Sequence, residues 1–260
     1  MSEAVRSERR GGVLEITLDR PKANAIDVAT SHRLGEIFRH FSEDPDLRVA
    51  IVTSAGERFF SAGWDLKAAA GGEDVDTDFG PGGFAGIQQI MRLDKPVIAA
   101  VNGLAIGGGF ELALAADLRV AAEHVEFALP ETLVGVVADV ATILLPRFIP
   151  RAVALDLLLT GRRMDAAEAG RWGLVNAVVP TGNLMAKARE WAELIVAGAP
   201  LSVSAIKELA RRTETLTFAE SMAGIDDGRF EAYQRMLDSE DAREGPRAFA
   251  EKRPPVWRGR

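Results

Sequence analysis

Residues 102–131 contain the side chains of this chain that are best suited to chemistry. Three consecutive glycines, Gly107 to Gly109, precede an alanine- and leucine-rich stretch that favours a helix. The first N–H groups of a helix have no internal partner and lie at the positive end of its dipole, so they can stabilise an oxyanion. Glu111 lies just inside the predicted helix, and Glu131 follows a short strand-like segment that ends in proline. The spacing predicts two carboxylates beside backbone donors.

Two carboxylates next to such donors suit proton transfer beside a carbonyl group. One can move an α-proton while the other handles water, and the donors stabilise the enolate oxygen that develops. The residues alone leave other interpretations open. A glutamate in the first turn of a helix often only balances the dipole, an acidic residue after proline often caps a helix, and three glycines can mark close packing of a helix on a strand.

Nucleotide and metal sites find little support in the sequence. Residues 80–85 match the pattern G-x-G-x-x-A, but they follow an acidic loop rather than a strand, and no Walker-type lysine follows a glycine run. The three histidines, His32, His40 and His124, lack metal-ligand spacing, and the chain has no cysteine. We predict no metal site and no disulfide, and the motifs give only weak support to a dinucleotide or P-loop site.

The composition is that of a soluble globular protein. Apolar residues make up 47% of the 260 residues and charged residues 27%. The net charge of −7 gives no positive field that would attract nucleic acid or an acidic membrane. The first residues are polar and lack the apolar stretch of a signal peptide, so we expect a cytoplasmic location without membrane association.

Hydrophobic patterns predict an α/β fold in which strands alternate with helices to about residue 180. Residues 13–19 alternate with period two, which predicts a half-buried strand. Residues 48–53 and 174–179 predict further strands, and residues 97–101 predict a strand buried on both faces.

Three helical regions are also predicted. Apolar residues at helical spacing follow Asp27, a candidate cap together with Thr30. A second helix is predicted around Phe84, after a surface loop at residues 71–83, with its inward side chains at Ile87, Ile90 and Met91. Residues 183–252 predict helices throughout, including a capping box from Thr217 to Glu220.

The same residues resemble a known family, the enoyl-CoA hydratase (crotonase) superfamily. The resemblance rests on residues 102–113 (NGLAIGGGFELA), 59–66 (FFSAGWDL) and 127–131 (FALPE). Within the superfamily the chain is most similar to the carnitinyl-CoA dehydratases, or crotonobetainyl-CoA hydratases. That similarity lies in residues 14–27 (LEITLDRPKANAID), 60–70 (FSAGWDLKAAA), 79–86 (FGPGGFAG) and 248–257 (AFAEKRPPVW).

The resemblance implies a reaction and its residues. Glu111 and Glu131 would be the catalytic carboxylates, and the backbone N–H groups of Trp64 and Gly108 would form the oxyanion hole. Coenzyme A would be part of the substrate, with no further cofactor. The residues expected at coenzyme A are Lys22, Ala23, Ala62, Asp65, Leu66, Lys67 and, from an adjacent subunit, Lys252.

The resemblance also implies an architecture. Residues 1–195 would form a spiral of ββα repeats with the CoA and acyl sites, and residues 196–260 a helical region that builds homotrimers, or hexamers as dimers of trimers. Retention of both glutamates favours a hydratase or dehydratase, with crotonobetainyl-CoA and carnitinyl-CoA as the substrate pair. The open alternatives are a general short-chain enoyl-CoA hydratase or isomerase and a non-catalytic crotonase-like binding protein.

Two features of the sequence bear on the acyl pocket. Family hydratases carry a glycine-rich turn after the second glutamate, whereas residues 135–142 read GVVADVAT, and a backbone N–H near Asp139 is expected to hold the catalytic water. A trimethylammonium group cannot donate a hydrogen bond, so a site recognises it with aromatic faces and carboxylates. We expect at least one of Trp64, Phe79 and Phe84 to contribute such a face, although each could equally pack in the core.

Overall fold

The computed structural model describes residues 4–74, 77–80, 82–89 and 93–260. Among these residues two sheets are formed by β1 (Val5–Arg10), β2 (Val13–Leu18), β3 (Val49–Ser54), β4 (Phe59–Ser61), β5 (Val97–Val101), β6 (Leu104–Ile106), β7 (Leu118–Ala122), β8 (Glu126–Ala128), β9 (Met164–Asp165) and β10 (Ala177–Val179). The larger sheet has the order β1-β2-β3-β5-β7-β10 and the smaller one the order β4-β6-β8-β9. The strands pair in parallel except β1 with β2 and β8 with β9.

From β3 to β8, successive strands enter the two sheets alternately, which makes the chain a spiral of strand pairs and helices. The helices are α1 (Val28–Glu43), α2 (Leu66–Ala70), α3 (Gly108–Leu114), α4 (Asp139–Phe148), α5 (Arg151–Thr160), α6 (Ala166–Arg171), α7 (Leu184–Ala197), α8 (Pro200–Arg212), α9 (Phe218–Asp226), α10 (Glu231–Asp238) and α11 (Glu240–Glu251). The α/β fold class and its spiral of ββα repeats are therefore confirmed.

The larger sheet forms the centre of the hydrophobic core. β3 and β5 are buried along their whole length, and for β5 this confirms the prediction of a strand buried on both faces. The prediction of a half-buried strand at residues 13–19 is wrong, because five of the six residues of β2 are buried. Its polar position Glu15 lies under α7, where the Arg189 guanidinium binds the carboxylate at 2.7 and 2.8 Å. The ion pair allows an alternating strand to be covered on both faces.

The region around Phe84 is not the predicted helix. Residues 84–86 form one 3-10 turn, in which Ala85 has a φ of 55°. Gly83, just before this turn, and Gly86, its last residue, have φ values of 67° and 68°. An α-helix cannot contain this conformation. Ile87 points inward as predicted, with 6% of its surface exposed. The predicted inward positions Ile90 and Met91 lie outside the described residues.

The C-terminal quarter is helical, as predicted. α7 covers the larger sheet through β3, β5 and β7, α8 packs on α10, and α10 packs on α11. The predicted capping box is present, since Thr217 and Glu220 exchange both of its hydrogen bonds at the start of α9. The strand predicted at residues 174–179 is limited to β10. No helix among the described residues combines the length and hydropathy that a membrane crossing needs.

Candidate active site

The short helix α3 is fixed at both ends. Gly107, with a φ of 55°, links β6 to α3, and its N–H donates to the carbonyl oxygen of Ala128 at the end of β8 at 2.9 Å. At the other end, the buried Arg119 guanidinium donates to the carbonyl oxygens of Leu114 at 3.3 Å and Ala116 at 2.7 Å. The carboxyl ends of β6 and β8 therefore meet at the start of α3.

Each glycine of the triple run leaves space for a different neighbour. An ideal Cβ built on Gly107 would lie 2.7 Å from Oε1 of Glu131. On Gly108 it would lie 2.4 Å from the ring of Phe84, and on Gly109 it would lie 2.2 Å from the carbonyl oxygen of Ser61. No real side chain tolerates these distances. The run thus marks close approach to the helix start, with Glu131 among the neighbours, rather than helix–strand packing alone.

Two backbone N–H groups beside this helix start have no acceptor among the residues that the structure describes. Ile26 forms a parallel bridge with Trp64, in which the Ile26 N–H donates to Gly63 at 2.7 Å and its carbonyl accepts from Asp65 at 2.9 Å. The N–H of Trp64 therefore points away from Ile26. Gly63 packs against Gly108, since an ideal Cβ on Gly63 would lie 2.7 Å from Gly108 N. In the described part of the chain, neither Trp64 N nor Gly108 N donates to another residue. This pair can hold an oxyanion.

Glu111 is buried without a cation. It is 6% exposed, its Oε1 accepts from the backbone N–H of Ala141 at 2.9 Å, and its Oε2 accepts from Nε2 of Gln88 at 3.3 Å. The pKa of Glu111 is raised to about 7, mainly by burial and also by the negative charges of Asp139 and Glu131, while the two donors oppose the rise. Near neutral pH this carboxyl group can both give and take a proton.

Glu131 begins a 3-10 turn after β8 and has fewer partners still. Its Oε1 lies over Gly107, and its Oε2 is buried with no hydrogen-bond partner among the described residues. Burial raises the pKa of this carboxyl as well, while its own backbone N–H lowers it. Within the described ranges, neither Glu111 nor Glu131 forms an ion pair. The structure thus brings together the four residues predicted to be catalytic, Glu111, Glu131, Trp64 and Gly108.

Six of the seven residues predicted to contact coenzyme A, all except Lys252, lie on the loops after β2 and β4 and at the start of α2. The carbonyl oxygen of Ala23 accepts from the N–H of Ala62 at 3.0 Å, which joins the loop after β2 to the loop after β4. Arg20 pairs with Asp65, the cap of α2, at 2.6 Å. Exposed side chains on the surface of these segments are those of Lys22, Leu66 and Lys67. Among the described residues, no group of three or more acidic or histidine side chains is placed to hold a metal ion.

Lys252 is not part of this surface within one chain. It ends α11 in the left-handed conformation, with a φ of 53°. The described residues show no contact between it and the predicted CoA surface, and its proposed role from an adjacent subunit stays a prediction.

The comparison with known proteins decides the family. The enoyl-CoA hydratase/isomerase family model matches residues 8–260. This chain belongs to that family. A carnitinyl-CoA dehydratase of Escherichia coli O157:H7 is 59% identical over 261 residues, with all of both chains covered. The solved enoyl-CoA hydratase of Mycobacterium tuberculosis H37Rv is 40% identical with a TM-score of 0.90 over 99% of each chain. The solved carnitinyl-CoA hydratase of Mycobacterium avium is 43% identical with a TM-score of 0.78 over both whole chains. The superfamily named from the sequence is confirmed.

Residues 135–142 of this crotonase-family chain lack the glycine-rich turn of the family hydratases. They form a turn and the start of a helix instead. Gly135, with a φ of 77°, makes the turn, and α4 begins at Asp139. The N–H of Val140 donates to Oδ1 of Asp139 at 2.8 Å, and the N–H of Ala141 holds Glu111. Sequence reasoning missed Ala141 and Gln88, because nothing in the local pattern of either residue indicates a contact with a distant glutamate.

The aromatic residues predicted near the acyl pocket of this family member have different surroundings. Phe84 lies against Gly108, and Phe79 packs edge-on against Phe84 with ring centroids 5.3 Å apart. Trp64 donates from Nε1 to Glu73 at 2.8 Å. Phe84 is thus the aromatic ring that contacts the site most directly.

Proposed function

We propose that this chain is an acyl-CoA hydro-lyase that reversibly removes water from carnitinyl-CoA to give crotonobetainyl-CoA. The observation that carries the proposal is the pair of poorly solvated carboxylates, Glu111 within α3 and Glu131 over Gly107, beside N–H groups that have no acceptor among the described residues. Full-length relatives at 58–59% identity that are named carnitinyl-CoA dehydratase support the substrate.

In the dehydration direction, the thioester oxygen accepts hydrogen bonds from the N–H groups of Trp64 and Gly108. Glu131 removes the α-proton, and the electron pair forms the α,β double bond as the β-hydroxyl leaves with a proton from Glu111. The two N–H groups stabilise the negative charge that develops on the thioester oxygen. Hydration reverses each role. The reaction needs Glu111 protonated and Glu131 ionised, and the pKa of about 7 keeps the acid form of Glu111 available near neutral pH.

A second carboxyl group distinguishes this chemistry from the movement of a double bond. Isomerisation needs one base that shuttles a proton, whereas the addition or loss of water needs a further group at the β-carbon. Glu111, held at Oε1 by the Ala141 N–H, supplies that group. The arrangement therefore favours a hydratase or dehydratase over an isomerase.

We further propose that the surface around α2 binds coenzyme A, which enters as part of the substrate. The exposed ammonium groups of Lys22 and Lys67 suit its phosphates. Homotrimers or hexamers, built by residues 196–260, would bring in Lys252 from an adjacent subunit. Exposed apolar side chains on the C-terminal helices, including Phe218 at 82% and Phe249 at 87%, support such assembly. A cytoplasmic location is part of the same proposal.

For the trimethylammonium group we propose a cation–π contact with Phe84, because this ring lies against the helix start that would hold the thioester. The test compares Phe84→Leu with the wild type on carnitinyl-CoA and on its neutral isostere, in which a tert-butyl group replaces the trimethylammonium group. A larger loss of kcat/KM for the charged substrate supports the contact. Equal losses would contradict it.

The reaction itself is tested by a panel of acyl-CoA substrates followed through the absorbance of the conjugated thioester. We expect the highest kcat/KM with carnitinyl-CoA and crotonobetainyl-CoA. A higher value with crotonyl-CoA would indicate a general short-chain hydratase, and formation of a shifted double bond would indicate an isomerase. Tight binding of CoA without turnover of any substrate would overturn the enzymatic proposal.

A further inference from the structure

The two carboxylate oxygens of Glu111 have different partners. Oε1 accepts from the backbone N–H of Ala141 at 2.9 Å, and a backbone N–H can only donate. A proton on Oε1 would face this N–H and lose the bond. The proton of the acid form therefore belongs on Oε2, the oxygen that faces Gln88 at 3.3 Å.

The side-chain amide of Gln88 can serve both protonation states of Glu111. Its Nε2–H₂ group donates to an ionised carboxylate, and its Oε1, brought round by rotation of the terminal amide, accepts from a carboxylic acid. A group that gives and takes a proton in each turnover needs a partner in both states. An ammonium or guanidinium group would serve only the ionised state.

We propose that Gln88 is a positioning residue for Glu111, which holds the proton-carrying Oε2 in place whether Glu111 is ionised or protonated. The inference rests on the acid/base role proposed for Glu111. Gln88 acts through Glu111 and need not touch the substrate.

The segment that carries Gln88 is fixed to the rest of the fold. The N–H of Ala85 donates to Oγ of Ser31 in α1 at 3.1 Å. Gly86 lies so close to α1 that an ideal Cβ would be 2.2 Å from the backbone nitrogen of Gly35. These contacts let Gln88 hold Glu111 from a fixed position, and an orienting residue needs such support.

The charges around Glu111 make the contribution of Gln88 measurable. Asp139 from α4 and Glu131 from the 3-10 turn both favour the protonated form, and no cation pairs with Glu111 in the described part of the chain. Its hydrogen bonds come from Ala141 N and Gln88 Nε2. A hydrogen bond to an ionised carboxylate is stronger than one from a neutral carboxylic acid. Removal of the Gln88 amide therefore destabilises the ionised form of Glu111 more than the protonated form.

The test replaces Gln88 by methionine, which keeps the length of the side chain and removes its amide. For dehydration, kcat/KM falls as pH rises through the pKa of Glu111, because the acid form is the active one. In Gln88→Met we expect this fall to move up by about half to one pH unit. In Gln88→Glu we expect a larger upward shift, because a second carboxylate faces Oε2.

Gln89→Met is the matched control, since Gln89 is the exposed next residue on the same segment. It should leave the pH profile unchanged. If Gln88→Met folds, as judged by its Tm, and loses rate with no shift of the profile, Gln88 has only a structural role and the inference is wrong. If Gln88→Met does not fold, the isosteric variant Gln88→Glu tests the inference through the same upward shift of the pH profile. Glu111→Gln separates the two proposals, because activity retained there would overturn the role of Glu111 itself.

Discussion

Two glutamates of this molecule have the same small solvent exposure but different partners, neutral donors for one and guanidinium groups for the other. Glu111 and Glu244 are each 6% exposed. Glu111 has two neutral donors, and burial raises its pKa to about 7. Glu244, in α11, accepts from the guanidinium groups of Arg247 at 2.5 Å and Arg253 at 2.6 Å and from the N–H of Val256 at 2.9 Å. Its hydrogen bonds with Arg253 hold its pKa far below the usual range.

Glu208 extends the comparison. Its carboxylate accepts from three N–H groups at the start of α10 and from Arg212 at 3.0 Å. The buried glutamates of the C-terminal helices, Glu208 and Glu244, each accept several hydrogen bonds, of which at least one comes from a guanidinium group. In the candidate active site, donors are few, and burial raises the pKa of both carboxyl groups. Charged partners, together with the strength of desolvation, separate a structural glutamate from one suited to acid/base chemistry.

The largest expected effect is on activity. Glu111→Gln and Glu131→Gln should each lower kcat by about a hundred- to ten-thousand-fold, because one proton transfer loses its group. Glu208→Gln, which changes a buried glutamate of the other region in the same way, should stay within about twofold of the wild type. Steady-state kinetics on carnitinyl-CoA provides the measurement. A loss in Glu208→Gln as large as in Glu111→Gln would break the distinction between the regions.

The second largest effect is expected at the oxyanion hole, which is formed by backbone N–H groups. An alanine at Gly108 would place its Cβ 2.4 Å from the ring of Phe84, so the helix start must shift and the oxyanion hole with it. We expect Gly108→Ala to lower kcat by about a hundredfold. Gly182→Ala is the control, because nothing lies within 4 Å of its Cβ position. Equal activities of the two variants would remove Gly108 from the site.

Stability should depend on pH in opposite directions in the two regions. The folded state keeps the proton of Glu111 up to about pH 7, whereas the unfolded state loses it near pH 4.5. Protonated Glu111 therefore contributes fully to the stability of the fold below pH 4.5, and this contribution is lost as the pH rises to 7. Glu111→Gln should therefore gain stability over the wild type across this window, by at most about 3 kcal/mol. Denaturant unfolding at several pH values measures the difference, and a constant difference would contradict the raised pKa.

Glu244→Gln should behave in the reverse sense. The lowered pKa of Glu244 means that its ionised form stabilises the fold above the unfolded value of 4.5, and this contribution is lost as pH falls below it. The variant should have a lower Tm than the wild type at neutral pH, and the gap should narrow in acid. A gap that widens in acid would show that the guanidinium groups do not hold this carboxylate.

The smallest effect concerns Asp139, whose charge raises the pKa of Glu111. Asp139→Asn should move the fall of dehydration kcat/KM with pH down by about 0.3 of a unit. Asp238→Asn, an exposed change at the end of α10, should leave the profile in place. An upward shift in Asp139→Asn would have the wrong sign for a removed negative charge.

The parts of the site that the sequence predicts are those with a local signal. Three adjacent glycines indicate a close approach, and Glu111 and Glu131 follow strand ends that meet because parallel strands of one sheet end at the same edge. The apolar runs of β3 and β5 likewise indicate buried strands. These features depend on neighbours in sequence or on regular pairing.

The remainder depends on contacts between distant segments. Gln88 reaches Glu111 because α1 fixes its loop, and Glu15 is buried because Arg189, far along the chain, pairs with it. The helix expected at Phe84 fails because Ala85 takes a positive φ within a glycine-rich turn. The periodicity of the sequence does not predict contacts between distant segments or the positive φ of a single residue.

The central claim is that Glu111 keeps its proton near neutral pH because it is buried and because no cation among the described residues faces it. Carbon-13 NMR of protein labelled at the glutamate carboxyl carbons tests this directly, with Glu111→Gln to assign the resonance. We predict one carboxyl signal that titrates with a midpoint of about 7 in the wild type and is missing from the variant. A Glu111 signal that titrates near 4.5, the value of an ordinary glutamate, would contradict the account.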